Sequence, residues 1–404
     1  MADISAACPD QLHTPDRLDG VASTILEPPE MTLAFSVYIS LTLILILIWS
    51  FPARKANVGL VETQRAGTQA ALASVIVFAL LIGCRYNVGG DFFGYIDYYR
   101  TTSLSDSYKD VVFEPGFLWL IQILKFMSLP DRSIIVASSA IQIALFSIWM
   151  RKHPQIAPYA VFTFATLLLL DVDNIVRQGI AFFAILLALS AVGEKRWVAF
   201  LGWTTLAYLF HRSAIVVYPI GIGLYFLRLP PVYGQAGALI FSYSFVGLFF
   251  SRIVGVFTLL SSYTGYSSYS DINRADLAFT GGGDSLSIGI YLWPVVDLII
   301  IAFSASVSRH YKVMQYRIYH NFFLVAALLQ PVANAWDFLP FARGLFYFVA
   351  MRSICMAFVL HYCMMVSRRP RDRLIASGVA GVFVLWLFVA ISRGAAWSAP
   401  YQFS

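Results

Sequence analysis

Four short polar stretches interrupt an otherwise apolar chain, and each carries an arginine or a histidine. The first is GCRYNVGGDFFGYIDYYR, Gly83 to Arg100. There Arg85 stands beside a turn built on Asn87, Gly89 and Gly90, and Asp91 is followed at the fourth position by Tyr95. A guanidinium next to the free N–H groups of a glycine turn suits phosphate oxygens, which it grips as a bidentate fork. Asp91 either accepts a proton or orients Arg85. The second stretch is DVDNIVRQ, Asp171 to Gln178. On an unbroken helix Asp173 and Arg177 share a face, as do Asn174 and Gln178. Arg177 is therefore either a second phosphate ligand or the partner of a local ion pair with Asp173. Asp171 and Asp173 have the spacing of an acidic metal-binding pair, but no further ligands accompany them. The third stretch is Phe210-His211-Arg212-Ser213. A histidine beside an arginine favours its neutral form, the form a general base needs. The fourth runs from Pro340 to Phe348 and holds Arg343 and Tyr347, with Arg352 deeper in the same segment. As an alternative to ligation, arginines at the ends of apolar runs snorkel to the interface and aromatic rings form a belt there.

The elements that position these groups follow from composition. Of 404 residues 59% are hydrophobic and 12% are charged, far from the balance of a soluble domain. The expected fold class is an all-α polytopic integral membrane protein. The net charge of +6 belongs to cytoplasmic connectors, which retain Lys and Arg, so it does not point to nucleic acid. Four cysteines, Cys8, Cys84, Cys355 and Cys363, show no disulfide or metal spacing.

Met31 to Phe51 is long enough to cross the hydrocarbon and is followed by Arg54, Lys55 and Arg65. Ala70 to Cys84 then returns outward and delivers Arg85 to Arg100 to the outer face. Further spans are expected at 133–150, 157–170, 175–192, 198–210, 214–227, 234–250, 288–307, 318–335, 344–366 and 374–391. With the first two, this makes about 12 to 13 crossings by length. Val111 to Leu129 is apolar, yet a crossing there would turn the later basic connectors outward. It is read as re-entrant or interfacial, interrupted by Glu114, Pro115, Gln122 and Lys125. The organisation expected is an outer tail over 1–30, one helical domain over 31–391 with outer loops at 85–110 and 261–287, and a tail over 392–404. The tyrosines and triple glycine of 261–287 suit a loop that closes over a substrate.

A charge at membrane depth costs roughly 2.5 to 3.5 kcal/mol, so such residues normally face a cavity and act there. Arg85, Arg177, Arg212 and Arg343, with His211, all fall on the outer side. That set suits an anionic, lipid-linked substrate.

These residues also carry a family resemblance. RYNVGGDFFGY (Arg85–Tyr95), FEPGF (Phe113–Phe117), IVRQGIA (Ile175–Ala181), FHRSA (Phe210–Ala214) and the late Arg343 before Tyr347 and Phe348 resemble the EpsG family of Wzy-type polysaccharide polymerases. Gly90 and Phe92 depart from the pattern, where a Thr-like residue and a Tyr are usual, but neither departure removes a charge. The resemblance implies a GT-C-like membrane glycosyltransferase of the bacterial inner membrane. Such an enzyme joins oligosaccharide repeat units carried on undecaprenyl diphosphate at the periplasmic face. Under it Arg85, Arg177, Arg343 and Arg212 hold the diphosphate. His211, then Asp91, then Glu114 are the candidates to take the acceptor proton, and Tyr95, Gln178 and Tyr347 are candidate sugar contacts. The partners implied are the lipid-linked oligosaccharide, membrane lipids, a flippase and a chain-length regulator, with no nucleotide sugar, no identified cofactor and a divalent metal left open. The competing functions are an O-antigen-type ligase, a lipid-linked oligosaccharide flippase and a membrane acyltransferase. A flippase needs charges along a central path, and the sequence scatters only Arg252 and Asp297 away from the outer cluster.

Overall fold

The computed structural model describes residues 28–56, 59–109, 111, 113–228, 230–245, 289–312, 315–335, 339–392 and 402–403. The loop at 261–287 and most of both tails lie outside these residues. What is described is helical, apart from one two-residue strand pair.

The long apolar runs become α1 (Pro28–Lys55), α2 (Leu60–Phe78, continued by a π-helical turn to Gly83) and α5 (Ser133–Lys152). Between them lie α3 (Phe92–Thr101) and α4 (Pro115–Phe126). The chain continues through α6 (Ala157–Leu167), α7 (Leu169–Asn174), α8 (Val176–Gly193), α9 (Trp197–Phe210) and α10 (Val217–Phe226) to α11 (232–245). It resumes with α12 (Gly289–His310), α13 (Tyr316–Ala335), α14 (Leu339–Val349), α15 (Met351–His361, with a π-helical turn to Val366) and α16 (Pro370–Ser392). Among the described residues seven helices are long and apolar enough to cross a membrane, and four shorter apolar ones accompany them. The protein is a multi-pass membrane protein.

α8 is apolar all round, and every residue from Gln178 to Gly193 is buried, as expected for a helix enclosed by others. It packs on α5 and α9, while α15, also wholly buried, packs on α6, α12 and α13. Helices at the periphery instead expose large apolar side chains: Leu43 and Leu47 of α1, Leu72 and Leu80 of α2, Leu385 and Phe388 of α16. In a bilayer these face lipid, where a polar side chain would cost several kcal/mol. The isolated charge at Asp297 is explained by its partner. Arg352 of α15 donates from Nε and Nη2 to the two Asp297 oxygens at 2.6 and 3.0 Å, a buried bidentate pair between α12 and α15.

The basic connectors gather at one end of the bundle. Arg54 and Lys55 end α1, and Arg151 and Lys152 end α5. Lys152 pairs with Glu194 at 2.8 Å, Gly193 lies against Gln315, and Arg317 donates to the Tyr225 carbonyl. The opposite end is capped by α3 and α4, whose Phe92, Tyr95, Tyr99, Phe113, Phe117 and Ile121 form a small second core. At about 1.5 Å per residue α4 is about 18 Å long, well short of the hydrocarbon thickness. Gly116 lets it begin against α9, since a Cβ there would sit 2.8 Å from the Leu209 carbonyl oxygen. The same end receives the C-terminal strand, with Arg85 and Tyr86 (β1) pairing antiparallel with Phe403 and Gln402 (β2).

The path from α6 to α8 is broken twice, at Leu168 (φ −135°, ψ −23°) and at Ile175 (φ −96°, ψ 62°). Asp171, Asp173 and Asn174 are residue types that weaken a helix, and the break needs outside help. Gln142 of α5 supplies it by donating to the Val172 and Val176 carbonyls, both at 3.0 Å. Because of this break, Asp173 and Arg177 do not share a helical face. The local ion pair considered from their spacing is absent, and each finds a partner elsewhere.

Candidate functional site

Arg177 is the second residue of α8, at a helix N-terminus, where the backbone dipole already presents positive charge. A cation there needs an anion. Glu114 supplies it: the N-cap residue of α4, buried, it places Oε2 2.5 Å from Arg177 Nη1. Its other oxygen, Oε1, accepts the Arg212 backbone N–H at 3.1 Å. That N–H is available because α9 ends at His211, whose extended backbone (φ −157°, ψ 116°) turns the chain out of the helix. One carboxylate therefore ties α4, α8 and the α9–α10 junction together. The Tyr98 and Phe117 rings lie within 6 Å of the Arg177 guanidinium, a distance at which a ring face attracts a cation.

His211 stands on the same floor. Its Nδ1 lies 2.7 Å from Ser213 Oγ and 3.1 Å from Tyr347 Oη, and those two hydroxyls are 3.1 Å apart. Nδ1 is thus held from two sides, while Nε2 takes no hydrogen bond among the described residues. Burial pushes the imidazole pKa down to about 4. Glu114 pulls it up and the charges of Arg177 and Arg343 push it down. The ring is neutral at ordinary pH.

Asp91 is exposed at the mouth, held by its backbone N–H donating to Asn174 Oδ1 at 3.1 Å. Tyr95 Oη is 3.5 Å from its carboxylate and also faces Arg177. Gly89, at φ 95°, makes the turn that seats Asp91 against Asp173 and Asn174. Arg343 is half-buried, within electrostatic reach of both Asp91 and His211, and makes no ion pair with any described residue. Arg212 is exposed beside them. A paired guanidinium, that of Arg177, a second one, Arg343, without an ion pair among the described residues, and a neutral imidazole thus share one mouth.

The sequence of the chain agrees with a family model described as the EpsG family over residues 70–403. The chain belongs to the EpsG family. No curated protein and no solved structure matches it. The EpsG match begins within α2 and ends on β2, so it takes in every residue of the mouth.

Four candidates in this EpsG-family chain have other partners than their sequence spacing suggests. Arg85 is not at the mouth. Its Nη1 lies 2.7 Å from Asp173 Oδ1, and its donors also serve the Ile82, Val88 and Asp173 carbonyls and Ser139 Oγ. With 2% of its surface exposed, its guanidinium is turned inward to these acceptors. Asp91, for its part, does not orient Arg85; Asp173 does. Gln178 is buried and donates to the Arg343 carbonyl at 2.5 Å, fixing the start of α14 rather than meeting a sugar. Tyr347 is wholly buried, and its hydroxyl holds His211.

Two working residues lacked a strong sequence signal. Ser213, two residues after His211, matches the short-range pattern by which hydroxyls bond near neighbours. Asn174 was visible only as a presumed partner of Gln178. Among the described residues no group of three or more His, Cys, Asp or Glu side chains is placed to hold a metal ion.

Proposed function

We propose that this protein is an exopolysaccharide or O-antigen polymerase. It joins oligosaccharide repeat units carried on undecaprenyl diphosphate at the periplasmic face of a bacterial inner membrane. The observation that carries the reading is the meeting of a neutral His211, whose Nε2 takes no hydrogen bond among the described residues, with the guanidiniums of Arg177 and Arg343. Membership of the EpsG family supports it.

In the proposed reaction an acceptor sugar hydroxyl attacks the anomeric carbon of the donor glycan. The bond from that carbon to the lipid diphosphate breaks, and the new glycosidic bond forms. The hydroxyl proton passes to His211 Nε2, while Nδ1–H stays directed at Ser213 Oγ or Tyr347 Oη and steadies the imidazolium. Charge grows on the departing diphosphate, where Arg343 and Arg212 meet it and Arg177 completes the cradle. Fixed cations placed where charge develops are the largest contribution to many group transfers. Asp91, at the rim with Tyr95, is placed to accept hydrogen bonds from sugar hydroxyls. A flippase and a chain-length regulator are the proposed membrane partners.

The test is incubation of the purified protein in detergent or nanodiscs with a defined lipid-diphosphate-linked repeat unit. A ladder of multiples of that unit is expected. Transfer to lipid A alone would make the protein a ligase, and movement of intact units across a vesicle without new bonds would make it a flippase.

A further inference from the structure

The Glu114 carboxylate occupies its cradle in the way a phosphate group would. One oxygen sits on a guanidinium, Arg177 Nη1 at 2.5 Å, and the other on a backbone N–H, that of Arg212 at 3.1 Å. A guanidinium fork with an adjacent main-chain N–H is the donor set that binds phosphate oxygens. The carboxylate is buried, yet its helix does not need it, since Glu114 makes no side-chain cap to α4. Its backbone carbonyl alone serves that helix, accepting from Phe117 and Leu118. The side chain is therefore directed away from its own helix and into the mouth.

We propose that Glu114 is a resident counter-ion that holds the diphosphate seat in the free protein and is displaced from Arg177 and the Arg212 N–H when a diphosphate binds. The identity of that diphosphate as lipid-linked rests on the polymerase reading; the exchange of carboxylate for phosphate rests on the cradle alone. The exchange gives two results that a proton-transferring Glu114 does not. The partly buried Arg177 is never left without an anion, which would be destabilising. And the empty site does not hold stray phosphate, because a ligand must first outcompete a tethered carboxylate. Release is favoured by Arg343, which makes no ion pair with Glu114 or any other described residue and attracts the incoming diphosphate.

The experiment is titration of the purified full-length protein with inorganic pyrophosphate and with farnesyl diphosphate, followed by calorimetry, for wild type, Glu114→Gln and Glu114→Asp. Gln removes the competing charge. Asp keeps the charge but is one methylene too short to reach both donors, so it reports on the clasp even if Gln impairs folding. A charge-assisted hydrogen bond contributes about 1.5–3 kcal/mol, so its loss as a competitor tightens binding by roughly ten- to a hundredfold. Both variants are expected to bind both ligands more tightly than wild type, Gln more so than Asp, and adding Arg177→Met to Glu114→Gln is expected to abolish the gain. Binding no tighter than wild type in both variants overturns the proposal, as does a gain that survives loss of Arg177. A polymerisation assay separates this from the functional reading. If no ladder forms yet the variants bind diphosphate more tightly, the polymerase reading falls and the counter-ion remains.

Discussion

Arg85 and Asp173, 88 positions apart in the chain, form a buried ion pair that fixes the turn before α3 to the break before α8. Both side chains are almost wholly enclosed, and the Tyr38 hydroxyl of α1 also serves the carboxylate. This pair sets the height at which Gly89 to Asp91 meets Asn174, and so where the mouth begins.

Breaking the pair from one side should therefore cost stability rather than substrate affinity. Arg85→Met leaves a buried carboxylate unpaired, a loss of about 3–5 kcal/mol, read as a lower midpoint of thermal unfolding in detergent. The double variant Arg85→Met, Asp173→Leu should recover part of it, since the Ile82, Val88 and Asp173 carbonyls still lose their donor. A single variant that unfolds like wild type but makes no polymer would return Arg85 to the substrate.

The imidazole of His211 provides a prediction in pH. Its pKa lies at about 4 because burial and the guanidiniums of Arg177 and Arg343 disfavour the charged form. The neutral ring is the base, so kcat/KM, which reports the free enzyme, should be flat at neutral pH and fall only as pH drops through about 4. An unperturbed histidine would give a limb near 6.5. Removing a repelling cation with Arg343→Met should move the limb upward, whatever it does to the plateau. A limb that stays in place would separate His211 from the profile.

Ser213 and Tyr347 both hold Nδ1, so they should prove coupled. Ser213→Ala or Tyr347→Phe alone should lower kcat by up to about tenfold, the worth of one hydrogen bond. The double variant should lose more than the product of the two, because either hydroxyl holds the ring when the other is gone. Strictly multiplicative losses in a double-mutant cycle would contradict the shared role.

Gly116→Ala tests how α4 is seated. The added Cβ would meet backbone, the Leu209 carbonyl, which cannot give way as a flexible side chain can. A loss of about 1–3 kcal/mol is expected for such overpacking, with a loss of polymer beyond it as the shifted α4 moves the Tyr98 and Phe117 rings and the His211 turn that line the site. Wild-type activity in this variant would show that the α4–α9 contact does not set the site.

Much of this was legible in the chain. The apolar runs announced the helices. The basic connectors announced that Arg177, His211 and Arg343 share an end, because retained Lys and Arg fix the direction of each crossing. The interruption of 111–129 by Glu114 and Pro115 marked a segment that is a short helix. What could not be read was pairing. Sequence spacing placed Asp173 with Arg177 on one helical face, but the break at Ile175 rotates them apart, and the partners they take are 88 and 63 positions away. The same limit hid the roles of Gln178 and Tyr347. Their types suit a sugar site, and only the approach of α14 to the start of α8 and to the turn at 212–216 turns them inward to Arg343 and His211.

The most direct measurement of the central claim is the amount of lipid diphosphate released per repeat unit added, by wild type and by His211→Ala and Arg177→Ala, with each protein shown to be folded in the membrane. The account predicts one diphosphate released for each new glycosidic bond in wild type and neither product in the two variants. Polymer growth without release of lipid diphosphate, or growth at the wild-type rate in either variant, would contradict it.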